Sequence, residues 1–109
     1  MYVSVTGLKP KDFIGWIRFW LYTIPASNAA RKAEGVLHCE FKTYNGYQQT
    51  LTVWETRKHM MAYIASPAHL RAMKSISQIG SGQVFGYEAD SIPSWDDALV
   101  EFDNKAREI

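Results

Sequence analysis

The order of strand-patterned and helix-patterned segments predicts an α+β sandwich: an antiparallel four-stranded sheet with helices on one face, built as βαββαβ and followed by one more helix. Three observations carry this reading. Short β-rich segments at 2–8, 36–43, 47–54 and 83–89 are separated by helix-patterned stretches. Asn45-Gly46 is a strong hairpin signal between the second and third segments. Helix-starting residues, namely Thr56, Ser66 followed by Pro67, and Ser94, stand ahead of the later helical stretches.

The first helix is expected to start at Lys9-Pro10, with Phe13, Ile17, Trp20, Leu21 and Ile24 turned inward and Pro25 kinking or restarting it. An Ala-rich continuation runs to Gly35, a left-handed cap. For the hairpin, a two-residue turn would set Cys39 opposite Thr52 and mix polar with apolar on both faces. A three-residue loop instead pairs Leu37 with Val53, Cys39 with Leu51, His38 with Thr52 and Glu40 with Thr50, and the binary pattern favours it. The two later caps predict a bent or double second helix with Leu70, Met73 and Ile76 inward. In the last helix, Asp96 and Asp97 at the start and Lys105 and Arg107 at the end suit the helix dipole. This order closes as a ferredoxin-like sandwich occupying residues 1–109 as one domain.

Composition narrows the function. Twelve Lys plus Arg against eleven Asp plus Glu leave a net charge of +1, too little field to draw the chain onto nucleic acid or anionic lipid. The most apolar run, Phe13 to Ile24, is interrupted by Arg18 and is shorter than the roughly 20 residues a bilayer span requires. The N-terminal residues lack a signal-peptide pattern, and one cysteine, Cys39, forms no internal disulfide. A cytoplasmic protein without a membrane segment is therefore expected. Glycine-rich phosphate loops, nucleophile elbows and dinucleotide fingerprints are absent, so no nucleotide is expected.

If helices shield one sheet face, the other holds His38, Glu40, Thr50, Thr52 and Trp54. A homodimer packing sheet on sheet is expected to cover it, with the surplus aromatics Trp16, Phe19 and Tyr22 adding weight. His38, His59 and His69 show no metal-ligand spacing, and no metal is expected. Cys39, opposite Leu51, is read as an inert packing residue. His69 borders the buried stripe of the second helix and is the candidate general base, against the plainer reading of a core-edge histidine bonded to backbone.

Leu51-Thr52-Val53-Trp54-Glu55, then Met60-Met61-Ala62-Tyr63-Ile64 and Ser66-Pro67-Ala68-His69, resembles the central segment of the dimeric α/β-barrel superfamily. That superfamily includes the antibiotic-biosynthesis monooxygenases, the haem-degrading monooxygenases and spheroidene monooxygenase-like proteins. The late Pro93-Ser94-Trp95 is similar to small uncharacterised relatives of the monooxygenases. The resemblance implies a homodimer with a ligand cleft between helices and sheet in each subunit. The positions at which haem-degrading members carry Asn, Trp and His fall on Thr6, Tyr63 and Met73, all different, so haem degradation is not implied. The reading that results is a monooxygenase-like protein that uses no cofactor and binds a small apolar or phenolic molecule. His69 is its catalytic base, and Trp16, Trp20, Tyr63 and Met73 shape its pocket. The alternative is a non-catalytic ligand-binding or assembly module of the same fold.

Overall fold

The computed structural model describes residues 1–44, 46–75 and 80–108. Strand β1 (Tyr2–Pro10) leads to helix α1 (Phe13–Lys32) and the hairpin of β2 (Val36–Tyr44) and β3 (Tyr47–Trp54). Two short helices follow, α2 (Arg57–Ile64) and α3 (Pro67–Lys74), then β4 (Gly80–Glu88), α4 (Trp95–Lys105) and a two-residue β5 (Arg107–Glu108). The sheet is antiparallel, in the order β2-β3-β1-β4-β5. The expected α+β element order is present, and the second helix is double because each half has its own cap: Thr56 Oγ1 accepts from the His59 amide and Ser66 Oγ from the His69 amide. Asn45 and Ile76, which the sequence reading used, lie outside the described residues.

The hairpin takes the register that the binary pattern disfavoured. Tyr44 pairs with Tyr47, Phe41 with Thr50, Cys39 with Thr52, Glu40 with Leu51 and His38 with Val53. Beside the Tyr44–Tyr47 pair, Gly46 has φ 81°, a left-handed value that suits the twist of the flanking strands. A bulge between Val36 and His38 absorbs one residue, so Val36 still lies opposite Trp54. The sequence argument assumed an unbroken ladder with one apolar face. The bulge at Leu37 removes that condition.

Alternation along β1 and β3 then sorts the sheet into two unlike faces. Val3, Val5, Leu51 and Val53 are fully buried and cluster with Ala98 and Phe102 of α4. Each such aliphatic side chain contributes roughly 1.5–3 kcal/mol by leaving water. Ser4, Thr6, Thr50 and Thr52 point the opposite way, beneath α1, α2 and α3. Helix α4 thus covers the face expected to be free. The five residues assigned to a dimer face do not share a surface. His38 and Glu40 lie on the α4 side, 2.9 Å apart, whereas Thr50, Thr52 and Trp54 lie on the other side. Trp54 is fully buried within the protomer, stacked on Tyr63 at 5.2 Å.

Helix α1 also presents a different side from the one expected. Pro10 ends β1, and Asp12 is the cap, its Oδ1 accepting from the Gly15 amide at 2.7 Å. The helix runs through Pro25 without restarting and turns Gly15, Phe19, Ala26, Ser27 and Ala30 inward. Phe13, Ile17, Leu21 and Ile24, expected in the core, are exposed, and so is Leu70 of α3. Small residues let α1 lie close to its neighbours along its second half, and that close approach fixes its rotation. Gly35, just past the helix, has φ 82° and carries the His59 ring where a Cβ would stand.

Among the described residues two buried side-chain groups lack a hydrogen-bond partner, the Gln49 amide and Trp54 Nε1, and the amide works harder against the fold. Gln49 is fully buried on the α4 side, where both amide atoms lack a hydrogen-bond partner among the described residues. A Cβ on the facing Gly7 would stand 2.7 Å from Phe102 Cζ and 3.0 Å from Gln49 Nε2, so the glycine makes the room that the amide and the ring share. Leaving such an amide unpaired costs about 1–3 kcal/mol. Gln49→Met keeps the volume and removes the cost. Chemical denaturation is expected to show the variant more stable by about 1–2 kcal/mol, and a loss of stability would show that the amide has a partner.

Candidate functional site

Between the hydroxyl-bearing sheet face and the three helices lies a cavity of about 720 Å³, within the range of about 300–1,000 Å³ usual for small-molecule sites. Ser4 and Thr6 of β1 and Thr50 and Thr52 of β3 form its floor. Phe19 and Tyr22 of α1, Met60 and Tyr63 of α2, His69 and Met73 of α3, and Cys39 and Phe41 of β2 form its walls. The floor is polar because alternate residues of two neighbouring strands are hydroxyl residues. The walls are mainly apolar because α1 to α3 turn aromatic and sulfur-bearing residues inward, and Arg57 and Lys105 add two charged side chains to the lining. Gly86 of β4 also lines the cavity, and a Cβ there would collide with the Tyr2 hydroxyl.

His69 sits in the first turn of α3, placed by Ser66 as cap and Pro67 at the first helical position. Its Nδ1 lies 3.1 Å from the Ile64 carbonyl oxygen. A carbonyl only accepts, so Nδ1 carries the proton and Nε2 keeps the lone pair. Burial lowers the pKa of His69 below the ordinary 6.5, with the Ile64 hydrogen bond opposing in part. The ring is therefore a neutral imidazole at pH 7, set edge-on against Tyr63 at 5.1 Å. The Tyr63 hydroxyl donates to the Ala26 carbonyl at 2.9 Å, tying α2 to α1. Burial, reinforced by Cys39, raises its pKa to about 12. Tyr63 is thus a neutral, occupied donor, and His69 is the cavity group able to accept a proton near neutrality.

Of the residues assigned to the pocket from sequence, Tyr63 and Met73 line the cavity together with His69. Trp20 stands one layer back, edge-on to Phe19 at 5.1 Å and 6.1 Å from Phe41. Trp16 lies on the outer side of α1, largely exposed and stacked on Phe13. Cys39, expected opposite Leu51, faces Thr52 and lines the cavity. Burial raises its thiol pKa, which Arg31 opposes and Glu40 reinforces, so the thiol stays protonated at neutral pH. The sequence reading missed the four floor hydroxyls. Their signal lies in the period-two alternation of Val3, Ser4, Val5, Thr6 and of Thr50, Leu51, Thr52, Val53, of which the sequence reading uses only Thr50 and Thr52, as part of a dimer face.

The remaining histidines are engaged elsewhere. His38 Nε2 bonds Glu40 Oε2, and that bond holds the Glu40 carboxyl below its usual pKa. His59 Nδ1 lies 2.7 Å from Thr56 Oγ1, at the start of α2. Among the described residues, no three His, Cys, Asp or Glu side chains gather as a metal site.

No protein-family model and no curated protein sequence matches the chain. Solved structures do. An antibiotic biosynthesis monooxygenase superposes with a TM-score of 0.72 at 14% identity, over 84% of this chain and all (100%) of that one. SnoaB of Streptomyces nogalater, a cofactor-independent oxygenase, gives 0.68 at 10% identity over 85% of this chain and 97% of its own. A dimeric ferredoxin-like protein from Jannaschia sp. CCS1 gives 0.72 at 15% identity over 81% and 98%. At such identities the likeness concerns architecture alone. The chain has the ferredoxin-like fold of the antibiotic biosynthesis monooxygenases and their structural relatives.

Proposed function

We propose that the cavity binds a small, flat apolar or phenolic molecule and that His69 takes a proton from its hydroxyl, preparing it for reaction with oxygen without a cofactor. The observation that carries this reading is a neutral imidazole on the cavity wall whose Nδ1–H is already engaged by Ile64, leaving Nε2 as the acceptor. Aromatic and methionine walls accept a ring system, while the four hydroxyls of the floor meet its polar edge. The proton passes from the phenol or quinol to Nε2. The resulting anion is electron-rich and transfers an electron to molecular oxygen. Burial keeps His69 unprotonated at neutral pH and so free to accept, while lowering its basicity. The cofactor-independent oxygenase among the structural neighbours supports the same reading. The single cysteine is in keeping with a cytoplasmic location.

A second reading rests on the same ring. His69 ties α3 to the end of α2 through Ile64 and packs on Tyr63, which itself packs on Trp54. On that evidence the residue is a structural clasp and the cavity a binding site without chemistry.

Two measurements test these readings, the first the buried setting that both share and the second the base. The lowered pKa makes the folded state hold a His69 proton less tightly than the unfolded chain. The full stability is present above about pH 6.5, and as pH falls below it the unfolded chain protonates first, so stability declines toward the folded-state value. An NMR titration of the imidazole is expected to show a midpoint below 6.5, and denaturation of His69→Gln is expected to lose less stability than the parent between pH 7 and 5. A midpoint at or above the ordinary value would remove the buried setting from the account.

In a screen of phenols and quinols under oxygen, His69→Ala is expected to lower turnover by roughly 10²- to 10⁴-fold with ligand binding retained. A variant that melts earlier yet turns over fully per folded molecule would retire the base and leave the clasp.

A further inference from the structure

We infer, resting on the ligand reading above, that the cavity takes an aromatic acid: a flat ring system whose carboxylate sits on Arg57 while its hydroxyl meets His69. Among the described residues that line the cavity two are charged, Arg57 and Lys105, both cations, and no Asp or Glu lines it. Lys105 is compensated by Glu101, 3.1 Å away. Arg57 has no carboxylate within ion-pair distance among the described residues, and Glu55, two positions before it, lies outside the lining. What stands beside Arg57 is a ring. Its guanidinium carbon lies 6.0 Å from the centre of the Tyr2 ring, which also lines the cavity. A cation over a ring is held in place with its charge left unneutralised.

Helix α2 sets the distance between cation and base. Arg57 is its first residue and Ile64 its last, and the Ile64 carbonyl is the group that holds His69 Nδ1. The seven steps from 57 to 64 span about 10 Å along the axis, at roughly 1.5 Å each. Met60 and Tyr63, on the turns between, line the cavity, so the space runs along the helix from the cation to the base. Arg57 is exposed and His69 half-buried, which gives that path a wet end and a dry end. A carboxylate keeps part of its hydration at the wet end and would lose it at the dry one, so the acid group faces outward and the hydroxyl inward, toward Nε2. The guanidinium fork meets a carboxylate through two parallel hydrogen bonds. The local sequence agrees with a ligand role. Helix dipoles favour acidic residues in the first turn, yet α2 has none there and begins with Arg57 and Lys58. The helix gains nothing from that placement, whereas a bound carboxylate does.

The test uses a matched pair of probes, 6-hydroxy-2-naphthoate and 2-naphthol, which differ by the carboxylate, titrated calorimetrically into the intact chain near pH 7. The parent is expected to bind the acid about 10-fold more tightly, the lower end of what a charge-assisted hydrogen bond contributes, and the preference is expected to shrink with added salt. Arg57→Gln is expected to bind the two probes alike, with its affinity for 2-naphthol and its melting temperature unchanged. Lys58→Gln makes the same change in charge one residue on, outside the cavity lining, and is expected to keep the preference. Should Arg57→Gln fail to fold, the parent's salt response decides, and a preference indifferent to salt overturns the inference. A parent that binds 2-naphthol as tightly as the acid, or a preference that survives Arg57→Gln, overturns the inference and leaves the ligand reading standing. If neither probe binds the parent, the ligand reading falls and the inference falls with it.

Discussion

The structure depends on a single constraint: β1 and β3, neighbours in the sheet, carry aliphatic residues at one parity and hydroxyl residues at the other. Val3, Val5, Leu51 and Val53 need a cover that excludes water, and α4 supplies it with Ala98 and Phe102. Ser4, Thr6, Thr50 and Thr52 offer little apolar area to a covering helix. The helices above them gain nothing by descending to close contact, and they pack on one another and on the sheet margins. Trp54 against Tyr63 and Trp20 against Phe41 are two such marginal contacts. The space left over is the cavity. Its position beside His69 follows from the cap at Ser66, which starts α3 at the cavity wall.

The same constraint accounts for the two sides of α1. Its inner side needs mainly small residues, since it lines a space as well as filling one, and Ala26, Ser27 and Ala30 serve there with Phe19. Its bulky aliphatics are thereby left on the outer side. A stripe of large apolar residues on a helix is conventionally assigned to the core. Here small residues at the interior and large ones outside invert that assignment.

What was legible in the sequence was local. The caps at Thr56, Ser66 and Ser94 set helix starts through bonds spanning three residues, so their signal lies within a few positions. Strand positions and element order followed from the same short-range patterns, and the likeness of the segment around Trp54, Tyr63 and His69 to the monooxygenase-like proteins agreed with the fold that emerged. What misled was long-range or depended on a single residue. The pairing of Tyr44 with Tyr47 beside the turn shifts the hairpin partners by one, which puts Cys39 opposite Thr52 instead of Leu51, and the bulge at Leu37 then returns Val36 to Trp54. The position of α4 across the second face depends on packing with β3, about fifty residues earlier, and with β1, more than ninety residues earlier, which periodicity does not encode. Tyr63 and Met73 were found as cavity residues because they lie on the inner sides of short, well-capped helices. The hydroxyl floor was missed because its β3 half, Thr50 and Thr52, was assigned to a partner subunit and its β1 half, Ser4 and Thr6, was given no face.

The central claim is that the hydroxyl face of the sheet looks onto space and the aliphatic face does not. Thr50→Phe, on the cavity floor, puts a ring where the structure has room, without disturbing strand propensity. Its unfolding free energy by chemical denaturation is the most direct measurement. The account predicts a change of less than about 1 kcal/mol, since the ring fills vacant volume. A loss of about 3 kcal/mol or more, the penalty of forcing a side chain into a packed interior, would mean that no cavity stands above β3.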